Sequence, residues 1–240
     1  MNEVLVQAPG FFGKVRTHGD FVTRRLPAGF VTPWDEALQK GMLFAQQVFG
    51  AQWVSVYLAA PLWCFALRAG VCGQMAWAGV LMPGVDRVGR YFPFTIALPI
   101  PDDDLMQWLK GAGAWFDCAA RLALSTLDDD FVLERFDEAL QELVVAQTVV
   151  EAWPWGVVAS DRSGATEAFV DVLCARMTAR RSAWWSNGSD TMPPTLRIAA
   201  GLPDEQCFAS LLDTADAQWE WTARLYSGHE ATGCGPRDPE

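Results

Sequence analysis

The sequence predicts an α/β fold in which a partly antiparallel sheet is covered by helices on both faces. Three observations lead there. Four short apolar runs crowd between residues 53 and 98, helical periodicity stands before and after them, and the runs are so continuously hydrophobic that neither face of the sheet suits water. The chain of 240 residues is 51% hydrophobic and 20% charged, a globular balance with ample length for a core. Its 12 Trp and 14 Phe place large rings through that core and leave some for an interaction surface.

Residues 9–31, rich in Gly, Phe and charge, read as a short strand followed by an extended loop. Thr32 before Pro33, with Asp35 and Glu36 just after, reads as a helix start: a hydroxyl cap, proline at the first helical position and acids near the positive end of the dipole. Trp34, Leu38, Met42 and Ala45 continue at steps of three and four until Gly50. The runs 53–59, 63–69, 75–82 and 92–98 then suit strands, being rich in Val, Trp, Phe and Tyr and too short for buried helices. The second and third are close enough to form a hairpin.

After Pro101, Asp102, Asp103 and Asp104 open a helix running to about residue 127, and Asp128, Asp129 and Asp130 open the next, with Val132, Phe136, Ala139, Leu140, Leu143, Val144 and Gln147 on one face. Neither triplet has the looped ligand spacing or glycine bend of a calcium site, so no metal is expected. Further on come a strand at 155–159, a helix at 165–179, strands at 182–186 and 195–200 around an Asn187-Gly188 turn, and a helix at 204–212. The chain divides into an N-terminal α/β region (1–127), a helical and α/β region packed on the same core (128–226), and a tail (227–240) with a disordered composition.

Charge and cysteine usage exclude several classes of function. A formal net charge of −11 argues against a nucleic-acid partner, which would require a basic surface. Six scattered cysteines without a C-x-x-C pair, and two histidines, support neither a zinc site nor a disulfide framework. The opening residues lack the basic start and apolar middle of a signal peptide, so a reducing cytoplasm is expected. No charge stands between Lys40 and Arg68. Gln46, Gln47, Gly50, Gln52, Ser55 and Pro61 interrupt that stretch, however, and it reads as core rather than a stable membrane span.

Two segments could carry chemistry. In an extended segment Lys14, Arg16, His18 and Asp20 would project from one side, either as an anion or acid–base site or as a solvated strand face. Between two apolar strands, Pro83 to Pro93 holds Asp86, Arg87 and Arg90 with Gly84 and Gly89. Glycines leave backbone amides available and arginines supply forked donors, yet the same residues could equally lock the connection by mutual pairing. No phosphate loop, dinucleotide fingerprint, nucleophile elbow or cysteine–histidine pair is present, His229 lies in the tail, and no cofactor or catalytic residue is expected.

Taken in order, several motifs resemble one family. They are Gly13-Lys14 with His18-Gly19-Asp20-Phe21-Val22, Trp34, Tyr57-Leu58, Ala60-Pro61-Leu62-Trp63 and Phe65-Ala66-Leu67. Trp77-Ala78-Gly79-Val80-Leu81 runs on into Asp86-Arg87-Val88-Gly89-Arg90-Tyr91-Phe92-Pro93-Phe94-Thr95, and later come Trp184-Trp185-Ser186-Asn187-Gly188-Ser189 and Gly201-Leu202-Pro203. The chain resembles the TagF (ImpM) family over most of residues 10–213, with Val15-Arg16-Thr17 as a small departure in the opening motif. The resemblance implies a three-layer α/β/α sandwich around a mixed, partly antiparallel sheet. It also implies a cytoplasmic protein that represses type VI secretion post-translationally by binding a secretion component, in some members a forkhead-associated scaffold protein. Lys14, His18, Asp20, Asp86, Arg87 and Arg90 are the expected binding residues, on two loops meeting at a sheet edge. The alternative is an enzyme or nucleotide- or phosphoester-binding switch built on the same cluster.

Overall fold

The computed structural model describes residues 8–143, 158–160, 165–167, 173, 175–189, 192, 194–213 and 223–226. In chain order these form strands β1 (Gly10–Gly13) and β2 (Val22–Arg24), helices α1 (Ala28–Phe49) and α2 (Trp53–Ala59), and strands β3 (Trp63–Leu67), β4 (Ala76–Met82) and β5 (Phe94–Ile100). Helices α3 (Leu105–Gly111), α4 (Gly113–Ser125) and α5 (Leu133–Glu142) follow, then β6 (Val158–Ser160), β7 (Ala165–Glu167), β8 (Arg181–Ser186), β9 (Thr195–Ala200), helix α6 (Glu205–Leu212) and β10 (Ala223–Tyr226). The strands make one sheet in the order β2-β1-β5-β4-β3-β8-β9-β10-β6-β7.

The β3–β4 hairpin at the centre of this sheet pairs Trp63 with Leu81 and Leu67 with Trp77. Alternation along each strand then divides the core in two. Ala76, Ala78, Val80 and Met82 of β4 and Phe94, Ile96 and Leu98 of β5 share a hydrophobic cluster with Leu109 of α3, Phe116 of α4 and Phe136 of α5. Phe65 and Leu67 of β3, Trp77 and Leu81 of β4 and Trp184 of β8 share the other, with Phe30, Trp34 and Leu38 of α1, Tyr57 of α2 and Phe208 of α6. Rings dominate this second cluster: Trp34 stacks on Trp184 with centroids 5.7 Å apart and donates its indole N–H to the Thr95 hydroxyl at 3.0 Å. Each such buried ring contributes about 1.5–3 kcal/mol through the apolar surface it withdraws from water.

Several expectations are corrected here. Every described strand pairing is antiparallel, so the parallel component of a mixed sheet is not found among the described residues. Residues 53–59 are helix rather than strand. Their burial has a period of four, Trp53 and Tyr57 facing inward while Val54, Ser55, Leu58 and Ala59 are exposed, and a strand would alternate by two. Helix α1 begins at Ala28 and not at the Thr32-Pro33 step, because Phe30 extends the stripe that runs on through Trp34, Leu38 and Met42, and Pro33 lies inside the helix.

The helix expected over 102–127 is a 3-10 turn (Asp102–Asp104) followed by α3 and α4, which break at Ala112 between Gly111 and Gly113. Asp102 serves Arg68 and the Ala69 N–H as much as a helix start. Helix α5 opens three residues beyond the second triplet, and its buried stripe is Leu133, Phe136 and Leu140, with Val132 exposed. Residues 165–167, expected to be helical, pair with β6 as strand. Of the rest of that expected helix, residues 173, 175 and 176 are helical and 177–179 are not, while 168–172 and 174 lie outside the described residues, as do Val144, Gln147, His229 and the tail expected over 227–240. Strand β8 pairs with β3, so the sheet runs across the boundary drawn at residue 127. Among the described residues no helix is long and apolar enough to cross a membrane.

Candidate functional site

The two polar segments meet because glycines let their main chains approach closer than any side chain would allow. Strand β1 ends at Gly13, whose φ is +144° and where a Cβ would lie 2.3 Å from the Pro93 carbonyl oxygen. At Gly84 a Cβ would lie 2.4 Å from the Phe92 oxygen and 2.6 Å from that of Lys14. Beyond Gly84 the chain folds back on itself: Val85 bridges Tyr91, the Asp86 N–H donates to the Arg90 carbonyl at 3.0 Å, and the Gly89 N–H closes the turn on the Asp86 carbonyl at 3.0 Å. Gly89 takes a φ of +84°, a value L residues avoid, so this tight connection between β4 and β5 requires it.

Asp86 is the centre of the junction. Its Oδ1 accepts the N–H groups of Val88 (3.0 Å) and Arg90 (2.9 Å), while its Oδ2 accepts from Lys14 Nζ (3.0 Å) and Arg90 Nε (2.7 Å). The Asp86 and Lys14 residues are only 3% and 7% exposed, which removes the pair from solvent screening. Burial on its own would raise the Asp86 pKa, but the hydrogen bonds from Arg90, Lys14 and Val88 outweigh it and hold the carboxyl well below its ordinary range. Two contacts carry the lock across to the other loop: the Arg87 N–H donates to the His18 carbonyl at 2.9 Å, and Arg90 Nη2 donates to the Gly19 carbonyl.

Lys14, His18, Asp20, Asp86, Arg87 and Arg90 are thus brought to one place, though not on one strand face. Strand β1 stops at Gly13, so the expected alternation over 14–20 does not occur. Lys14 turns inward to Asp86. Arg16 turns away to the Leu127 carbonyl (3.0 Å) and Asp129 (3.4 Å). His18 is half-buried, its Nδ1 2.9 Å from the Thr17 hydroxyl, and the exposed Asp20 accepts the Phe21 N–H at 2.8 Å. Arg87 and Arg90 are exposed; Arg87 lies against Gly19, where a Cβ would stand 3.4 Å from its Nη2.

Two apolar residues complete the surface, and the sequence reading does not single them out as binding residues. Val88, at the tip of the turn, is 66% exposed; Phe21 is 41% exposed and lies over Lys14, with Nζ 5.2 Å from its ring centroid. Phe21 also stacks on Phe12 (5.3 Å) and meets Phe92 edge-on (4.8 Å). An apolar residue between Arg87 and Gly89 is the signal that would have marked Val88.

This geometry limits the chemistry. Asp86 has both oxygens occupied and a strongly acidic carboxyl, so it cannot serve as a general base near neutral pH. The amides of Arg87, Val88, Gly89 and Arg90 are all spent, on His18, on the Asp86 side chain and on the Asp86 carbonyl. The expectation that the loop glycines leave amides available is therefore corrected: the turn holds no nest for a phosphate. Among the described residues no group of three or more His, Cys, Asp or Glu could hold a metal ion. Away from the junction, the Tyr57 hydroxyl both donates to the Gly84 carbonyl (3.1 Å) and accepts the Gly84 N–H (2.9 Å), tying α2 to the base of the turn.

Comparison with known proteins adds two findings. A family model described as the TagF N-terminal domain, type VI secretion system-associated, matches residues 10–143, a span containing both loops. The crystal structure of PA0076 from Pseudomonas aeruginosa PAO1 is similar over 97% of this chain and 100% of its own, with 32% identity and a TM-score of 0.69. No curated protein matches.

Proposed function

Because the chain belongs to the TagF family of type VI secretion-associated proteins, we propose that it is a non-enzymatic regulator that restrains secretion by binding another protein through the loop pair 14–21 and 86–90. The observation that carries this reading is the division of labour at the junction. The buried Lys14–Asp86 pair spends itself on holding the loops, and Arg87, Val88 and Arg90 are presented outward on a turn fixed before any partner arrives. Preorganisation of that kind lowers the entropy cost of docking, and exposed arginine beside apolar side chains is the usual composition of an interface centre. In this reading the partner is a component of the secretion apparatus, with a forkhead-associated scaffold protein as the leading candidate, and the protein acts post-translationally in the cytoplasm. The two helical sets are the outer layers of a three-layer α/β/α arrangement whose sheet edge displays the loops.

The rival reading, an enzyme or phosphoester switch on the same residues, has less support: the spent amides and the occupied Asp86 leave it only side-chain arginines. Overproduction in the native host, with secretion of the tube protein as the readout, tests the proposal. Repression that is lost in Arg87→Glu supports it, and unchanged secretion with folded wild-type protein present rejects it. A saturable rise in Tm with a nucleotide or phosphoester, abolished by Arg87→Ala, would favour the rival.

A further inference from the structure

The charge at the junction is unbalanced in a way that names the partner's chemistry. One carboxylate, Asp86, answers two cations, Lys14 and Arg90, so the lock keeps a net positive charge after its internal pairing. Arg87 adds a third cation. It is exposed, and among the described residues its guanidinium takes part in no ion pair or hydrogen bond. The exposed Asp20 on the facing loop offsets one charge and marks the acidic border of the patch. Elsewhere the balance is reversed, since the whole chain has a formal net charge of −11.

We propose that this turn docks a protein segment that presents a carboxylate beside an apolar side chain, with Arg87 taking the carboxylate, Arg90 adding positive charge beside it and Val88 taking the apolar group. The inference rests on the reading of the loop pair as a partner-binding surface and specifies what it binds. Charge complementarity carries it. An acidic partner is repelled by most of this chain and accepted at the turn, so the patch sets orientation as well as contact. A guanidinium with open donors takes a carboxylate bidentately, and the exposed Val88 at the tip supplies apolar area beside it. A compact phosphate finds no convergent amides at the turn, since all four are committed within the protein, and would be left with guanidinium donors alone.

The test is fluorescence anisotropy of the full chain with a labelled glutamate–leucine peptide as probe, with ATP and inorganic phosphate as competitors. The expected result is saturable binding that weakens as salt rises from about 50 to about 200 mM, as an exposed charge contact must. Arg87→Glu should lose at least about tenfold in affinity. Arg180→Glu makes the same charge change at an exposed residue beside the opposite end of β3 and β4, and should stay within about twofold. Absence of saturable binding, equal losses in the two variants, or displacement by ATP or phosphate at concentrations below the peptide's own Kd would overturn the proposal. Its failure is distinguishable from failure of the regulatory reading. If Arg87→Glu abolishes repression while the peptide does not bind, the surface stands and the acidic occupant falls; if the wild-type protein does not repress, the regulatory reading falls whatever the peptide does.

Discussion

Replacing Asp86 by Asn tests the junction with the least change in shape. Asn keeps an Oδ1 acceptor for the N–H groups of Val88 and Arg90, so the turn itself loses little. What disappears is the charge facing Lys14 Nζ at 3.0 Å, and the replacement amide nitrogen points donors at donors. Lys14 is 7% exposed and cannot recover its hydration without opening the loops. Breaking a buried pair in this way costs about 3–5 kcal/mol. The Arg90 contact adds little, because that side chain is 57% exposed and stays hydrated. For a chain of this size the loss corresponds to a fall in Tm of about 6–20 °C. The assay is thermal and urea unfolding of wild type, Asp86→Asn, Lys14→Met and the double variant. The double variant removes the stranded ammonium and should recover more than half of the single-variant loss. A loss below about 1 kcal/mol for Asp86→Asn, the range of surface pairs, would refute the claim that this pair holds the loops together.

The folded-state pKa of Asp86 is depressed below its ordinary 3.8, so its stabilisation is present above about pH 4 and is lost as pH falls through the lower folded-state value; acid unfolding below pH 4 should therefore be shallower in Asp86→Asn than in wild type. Tyr57→Phe leaves the buried Gly84 N–H without its partner, while the Gly84 carbonyl keeps the Phe92 N–H, and should cost about 1–3 kcal/mol in urea unfolding. Gly41→Ala should destabilise despite alanine's higher helix propensity, by about 1–3 kcal/mol, because its Cβ would lie 2.4 Å from the Phe208 ring and push α1 off α6. The Cys72 thiol, fully buried and pushed up to about 12 by that burial, should resist a disulfide reagent at pH 8 until denaturant is added, which peptide mapping reads directly.

The sequence made the central sheet legible because its strands are short, apolar and punctuated. Runs 63–69 and 75–82 correspond to β3 and β4, with Pro61 before the first and Gly70 to Gly73 at the turn. Residues 53–59 misled because Trp, Val and Tyr favour strands by type, while only their burial, at a spacing of four, reveals a helix. Propensity of type lost to packing there. At the start of α1 a plausible local signal, Thr32-Pro33, lost to a longer-range one: Phe30 packs on Trp34 and Trp77, and the helix extends to include it.

The polar residues that meet at the junction were legible, but neither their wiring nor the exposed Phe21 and Val88 beside them was. That Lys14 meets Asp86 depends on the glycine contacts at Gly13 and Gly84, which are set by tertiary approach and leave no trace in local spacing. Likewise, one-sided projection of residues 14, 16, 18 and 20 assumed a strand that ends at Gly13. The choice between lock and binding surface had no sequence answer, since the same turn does the first with Asp86 and leaves Arg87 and Val88 exposed.

Secretion of the tube protein in the native host, measured with wild-type protein, Arg87→Glu and Arg180→Glu overproduced to equal levels, is the decisive measurement of the turn's role. Wild type and Arg180→Glu should suppress secretion, and Arg87→Glu, still folded by its Tm, should not. Equal suppression by all three would contradict that role, because the turn at residues 86–90 would then not be the surface through which this protein acts.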